Sequence, residues 1–173
     1  MKPIEIAYSS IPSPLGQLWA AVSAFGLWAL DYGRPEAEFL AIVRRRGPVV
    51  LTKDPATVQP ALLQGFEYLQ GRRRTFDLPI DWSGMTPFQV DVRRAVMGVP
   101  YGHTATYGEI ARQVCTIRAS RAVGQANATN PMLFVIPCHR IIGSTGSLTG
   151  FGGKGGIKTK ARLLQMEGAS LPA

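Results

Sequence analysis

Over residues 4–32 the apolar positions recur with a period of two, broken only by turn residues. Ile4, Ile6 and Tyr8 share one face of an extended chain, and Ser13-Pro14-Leu15-Gly16 forms a turn. Leu18 to Ser23 is an apolar strand, Phe25-Gly26 a second turn, and Leu27 to Tyr32 a third strand. This pattern predicts an antiparallel meander. The period then lengthens: Phe39, Ile42 and Val43 sit on one face of a helix from Glu36 to Arg46, which Gly47-Pro48 stops. Val49 to Leu51 fits a short strand. Pro60 to Gly71 is a second helix, with Leu62, Leu63, Phe66 and Leu69 as its stripe. The three arginines behind it, Arg72 to Arg74, suit a solvated helix end that complements the dipole.

Residues 75–87 carry prolines and a glycine without helical spacing, the pattern of an extended linker. Thr86 is placed to cap a helix through Met97, with Pro87 at its first position and Phe88, Val92 and Val96 as its stripe. After Pro100-Tyr101-Gly102, either Thr106 or Tyr107 opens a short helix through Val114. The connector Cys115 to Arg118 leads to another helix over Ala119 to Ala128. Two short helices around a tight connector suggest a helix-turn-helix. The second is built from small residues (Ala119, Ser120, Ala122, Gly124) and presents Arg121 and Gln125 on one face. Met132 to Ile136 is an apolar run of strand length that ends at Pro137, and Lys158 to Met166 is the last helix, with Gly168 behind it. The expected fold is a small α/β domain over 1–80, an antiparallel sheet with helices, followed by a mostly helical domain over 81–173.

Composition narrows the class. With 46% hydrophobic and 17% charged residues, the chain is globular, and no apolar run is long enough to span a membrane. The N-terminus lacks the regions of a signal peptide, and two cysteines do not make a disulfide framework, so the expected compartment is the cytoplasm. Cys115, Cys138, His103 and His139 lack metal-site spacing, and no metal is expected. Residues 1–84 hold nine Lys/Arg against eight Asp/Glu, and residues 85–173 hold ten against three, so the second half carries +7 of the +8 net charge. Such asymmetry points to a polyanionic partner, with nucleic acid the first choice.

The candidate chemistry stands where the apolar run ends. Cys138, His139 and Arg140 follow Pro137, so the thiol sits where a rigid segment meets a turn. Two readings apply at this point. Cys138 is either a small buried hydrophobe or a nucleophile whose thiolate needs a nearby cation or base, for which His139 and Arg140 are both candidates. On a strand His139 would face away from the sulfur and reach it only through a turn or a bridging water. Seven glycines between Gly143 and Gly156 formally include G-x-G-x-x-G, but no acidic residue follows at the dinucleotide distance, and no Ser or Thr follows the lysine. The remaining reading is a backbone wall for a flat ligand. Glu167 ends the last helix, where a carboxylate opposes the dipole, and His139 would be a fitting partner.

In this order Ser13-Pro14-Leu15-Gly16, Phe76-Asp77-Leu78-Pro79, Thr86-Pro87-Phe88-Gln89, Ile110-Ala111, Arg121-Ala122-Val123-Gly124, Asn130-Pro131, Ile136-Pro137-Cys138-His139-Arg140, Leu163-Leu164 and Glu167-Gly168 closely resemble the O6-alkylguanine-DNA alkyltransferases. The resemblance implies irreversible, single-turnover transfer of an alkyl group from O6-alkylguanine in double-stranded DNA to Cys138, by a monomer without a cofactor. It makes His139 the base that takes the cysteine proton through a water and Glu167 the group that orients it. Tyr107 becomes a donor to the departing base and Asn130 the hinge before the active-site segment. Ala119, Ser120, Arg121, Ala122, Gly124 and Gln125 become the DNA-binding surface, entering the minor groove with Arg121 filling the space of a flipped nucleotide. Tyr107, Ile141, Phe151, Gly152 and Gly153 become the substrate pocket. O4-alkylthymine stays open as a second substrate. Phe151 stands where the family usually has Tyr, Cys115-Thr116-Ile117 where it usually has Gly-x-Pro, and Gly152 to Gly156 carries a two-residue insertion. The alternative is a flag protein that binds damaged DNA without repairing it; the alkyltransferase-like proteins of that kind lack this cysteine.

Overall fold

The structure is a computed structural model that describes residues 1–171, and it divides into two compact units. The first is Met1–Met85 with Pro131–Leu133; the second is Thr86–Asn130 with the chain from Phe134 onward. The first unit extends past residue 80 because Ile80 bridges to Leu27, and Arg46 donates to the carbonyls of Asp81 (2.5 Å) and Ser83 (2.6 Å).

In the first unit β1 (Ile4–Ser13), β2 (Gly16–Ser23) and β3 (Gly26–Tyr32) form the expected meander. The sheet is nevertheless mixed, not antiparallel: β4 (Val49–Lys53) lies beside β1 and parallel to it, giving the order β3-β2-β1-β4. The cause is α1 (Glu36–Arg44), which carries the chain from one edge to the other and so reverses it twice. Ile6, Tyr8, Trp19 and Trp28 pack with Phe39 and Val43 of α1 on one face. Gly65 of α2 (Pro55–Leu69) closes on the other, where a Cβ would meet Leu18 at 3.1 Å. β2 and β3 are therefore buried on both faces, which is why they are apolar runs. The outer edge of β3 is covered by bridges to Ile80 and Met132.

Helix α2 begins five residues before the expected Pro60. Asp54 caps it by accepting from the Thr57 amide, Pro55 takes the first position, and Pro60 is tolerated inside at the loss of one ladder bond. The longer helix also turns the stripe: Val58, Ala61, Leu62, Tyr68 and Leu69 are buried, Phe66 only partly, and Leu63 faces solvent.

The second unit contains α3 (Pro87–Met97), β5 (Ala105–Thr106), α4 (Tyr107–Val114), α5 (Ser120–Ala128), β6 (Ile141–Ile142) and α6 (Gly156–Met166). Thr86 and Thr106 both complete capping boxes, with Gln89 and Glu109. Thr106 is thus the cap and Tyr107 the first helical residue. A single 3-10 turn, Ile117–Ala119, joins α4 to α5 in a helix-turn-helix. Among the described residues no helix is long and apolar enough to cross a membrane.

The strand expected over Met132 to Ile136 does not form. All five residues are buried, but Met132 makes only an isolated bridge, and Phe134 has a left-handed backbone (φ 69°) that turns the chain. Burial alone does not distinguish a strand from a folded loop. Here the side-chain amide of Asn130 takes up the Ile136 carbonyl (2.8 Å) that a neighbouring strand would otherwise bind.

Candidate active site

Pro137 (φ −78°, ψ 64°) makes an inverse γ-turn in which the Cys138 amide donates to the Ile136 carbonyl at 2.7 Å. Cys138–Arg140 then form one 3-10 turn, leading directly into β6. The three side chains fan out from this turn instead of alternating across a strand. Cys138 is buried, at 2% exposure, and its carbonyl accepts from the Asn127 side-chain amide at 3.1 Å.

His139 and Arg140 both converge on Glu167. His139 Nε2 lies 2.8 Å from Glu167 Oε1; Arg140 donates to the same carboxylate through Nη2 (2.9 Å) and Nε (3.0 Å); the Gly102 amide adds a fourth contact at 3.2 Å. Arg140 also donates to the Val99 carbonyl, 2.7 Å from Nη1. A carboxylate at a helix end is thus held by a bidentate cation and a histidine, which offsets the opposing dipole. Arg140 is committed to Glu167. Burial pushes the His139 pKa down against the upward pull of Glu167, so the ring rests neutral. Glu167 occupies Nε2, and the other ring nitrogen, Nδ1, is also buried.

A cavity of about 560 Å³ is lined by Tyr107, Gly108, Ile117, Ser120, Arg121, Gly124, Ser144, Thr149 and Gly150. Tyr107 donates to the Thr149 carbonyl at 2.9 Å. Its pKa is raised, chiefly by burial, with the charge of a Cys138 thiolate adding to the rise. Of the surface expected on α5, Arg121, Ala122 and Gln125 are exposed, while Ala119, Ser120 and Gly124 are half-buried. Of the other residues expected in the pocket, Ile141 is fully buried in β6, and neither it nor Phe151, Gly152 or Gly153 lines the cavity. Gly152 is small for a different reason: a Cβ there would stand 2.6 Å from the Ala128 carbonyl at the end of α5. Asn130 holds the loop behind the active-site turn and does not reach toward the cavity opening.

Two buried cations went unnoticed in the sequence. Lys160 is fully buried and donates to the carbonyls of Ile141 (2.5 Å), Thr149 (2.9 Å) and Gly150 (3.3 Å), fastening the glycine-rich segment to α6. Burial lowers its pKa to about 8, and a Cys138 thiolate opposes the drop. Arg93 of α3 is 3% exposed and caps α5, donating to Thr129 O at 3.1 Å and Ala126 O at 3.4 Å. The signal for Lys160 was present: with Leu163, Leu164 and Glu167 it falls on one helical face. Arg93 gave no signal, because it stands one position off the Val92–Val96 stripe.

A family model described as "6-O-methylguanine DNA methyltransferase, DNA binding domain" matches residues 87–169. The methylated-DNA–protein-cysteine methyltransferase of Mycobacterium bovis is 39% identical over 168 residues, covering 97% of this chain and 96% of its own. An inducible protein of the same name from Bacillus subtilis is 39% identical over 135 residues, covering 78% and 74%. Among solved structures, Mycobacterium tuberculosis OGT in complex with DNA superposes with a TM-score of 0.79 at 38% identity, covering 96% of each chain. On this similarity along nearly its whole length, the chain belongs to the methylated-DNA–protein-cysteine methyltransferase family.

Proposed function

We propose that this protein repairs O6-alkylguanine in duplex DNA by moving the alkyl group irreversibly onto Cys138. The observation that supports the reading is a buried Cys138 followed directly by a buried His139 that is paired with Glu167. His139 Nδ1 takes the thiol proton through one water, while Glu167 on Nε2 stabilises the imidazolium that results. The sulfur forms a bond to the alkyl carbon as the bond from that carbon to O6 breaks, and guanine leaves with a proton supplied from the Tyr107 side of the cavity. The acceptor is a side chain, so no cofactor is required and each molecule acts once. Cys138 is nearly inaccessible and the guanine edge is inside the stack, so the nucleotide must leave the helix. The lean exposed face of α5 suits a minor groove, with Arg121 entering the gap.

Incubation with O6-methylguanine DNA should add one methyl mass to the peptide bearing Cys138; binding of the damaged duplex with no mass change would favour the flag-protein alternative. Arg121→Ala should slow repair of duplex DNA about tenfold or more, yet leave reaction with free O6-benzylguanine nearly unchanged, because only the duplex needs its base held out. Equal losses on the two substrates would remove Arg121 from the flipping step. The second unit holds most of the positive charge, so affinity for duplex DNA should fall steeply as salt rises, as counterion release demands. The methylated protein should also melt lower than the free form in paired thermal scans, since packing a further carbon into a closed site costs about 1–3 kcal/mol.

A further inference from the structure

Arg93 is a buried cation with no carboxylate within ion-pair distance among the described residues, and its Nε makes no hydrogen bond. Buried charges are ordinarily paired, because desolvation otherwise disfavours them strongly. The three acceptors it does meet (the carbonyls of Ala126 and Thr129, and Thr129 Oγ1 at 3.4 Å) are all neutral groups at the end of α5. The same last turn carries Asn127, whose amide holds the Cys138 carbonyl at 3.1 Å, so the guanidinium and the backbone of Cys138 are fastened to one turn of helix. We propose that the anion matched to Arg93 is the Cys138 thiolate, and that Arg93 is an electrostatic positioning residue that makes the proton of this thiol easier to remove.

The other groups around Cys138 do not supply this charge as steadily. His139 rests neutral, Arg140 is neutralised by Glu167, and Tyr107 is uncharged at neutral pH, its pKa being raised. Lys160 is cationic but gives up its proton near pH 8. Arginine keeps its proton across the working range. The influence is mutual: a Cys138 thiolate favours the charged form of both Arg93 and Lys160, and by reciprocity their charge favours the thiolate. With Arg93 in place, the proton leaving Cys138 passes through water to His139 against a smaller barrier, and the sulfur keeps the electron pair that forms the new bond to carbon.

This inference rests on Cys138 being the alkyl acceptor, but its test needs no DNA and so stands or falls separately. In a Cys115→Ser background the only thiol is Cys138, and its titration can be followed by ultraviolet thiolate absorbance. The midpoint should lie below the ordinary thiol value of about 8.5. Arg93→Met and Arg93→Gln should each raise it by about 1 pH unit or more, the effect expected of an opposite charge at close range. Arg93→Lys should restore most of the shift. Arg93→Gln separates charge from capping, since its amide still donates to the α5 carbonyls. An unshifted midpoint in Arg93→Gln would reduce Arg93 to a helix cap and overturn the proposal. If none of the variants folds, the background protein alone decides: a midpoint at or above about 8.5 rejects the idea.

Discussion

Glu167→Ala is expected to lower the unfolding free energy by about 3–5 kcal/mol, the cost typical of removing one partner from a buried ion pair. Its side chain is completely buried and accepts from His139, from two nitrogens of Arg140 and from the Gly102 amide. Alanine would leave the Arg140 guanidinium, 7% exposed, with only the Val99 carbonyl from this set. The loss should appear in denaturant titrations as a lower midpoint at an unchanged slope. Glu167→Gln keeps the shape and should unfold less readily than the alanine variant. It should still slow alkyl transfer about a hundredfold or more, the lower range for removing acid–base assistance. The reason is that burial already disfavours the imidazolium, and Glu167 is what opposes it. A Glu167→Ala protein less than about 1 kcal/mol weaker than the parent would mean that the pair contributes little beyond an exposed one.

Cys138→Ser should abolish transfer altogether while preserving the fold and the affinity for damaged duplex. The change is nearly isosteric, yet a hydroxyl is a far weaker acid and a poorer nucleophile toward an alkyl carbon than a thiol. Cys115 is exposed on the connector of the helix-turn-helix, and Cys115→Ser should transfer at the parent rate. Intact-mass measurement on both variants after incubation with O6-methylguanine DNA decides the matter. Methyl label on Cys115, or any label on the Cys138→Ser protein, would contradict the assignment of the acceptor.

How much of this was legible in the sequence depended on whether the deciding interactions are local. The cap at Thr86 and the meander over 4–32 follow from neighbours along the chain, and the structure has them as expected. The expected helix from Pro60 starts too late, because Asp54-Pro55 already supplies the cap and a proline in the first turn. The parallel placement of β4 depends on where α1 sets the chain down, which periodicity does not encode. The run from Met132 to Ile136 was assigned by its hydrophobicity, whereas its shape is decided by the Phe134 backbone and the Asn130 side chain. At the site, Glu167 was found because its charge conflicts with a helix end. Arg93 raised no such conflict: an arginine on a helix looks solvated until tertiary packing closes over it.

Glu167 lies 28 residues beyond His139 and is supplied by the end of α6. The surroundings of the thiol are therefore completed only when α6 docks, which brings Glu167 to His139 and lets Lys160 fasten the glycine-rich segment. On the proposed reaction, which consumes the molecule, the acceptor gains its selective cavity and its buried histidine–carboxylate pair in the same docking step.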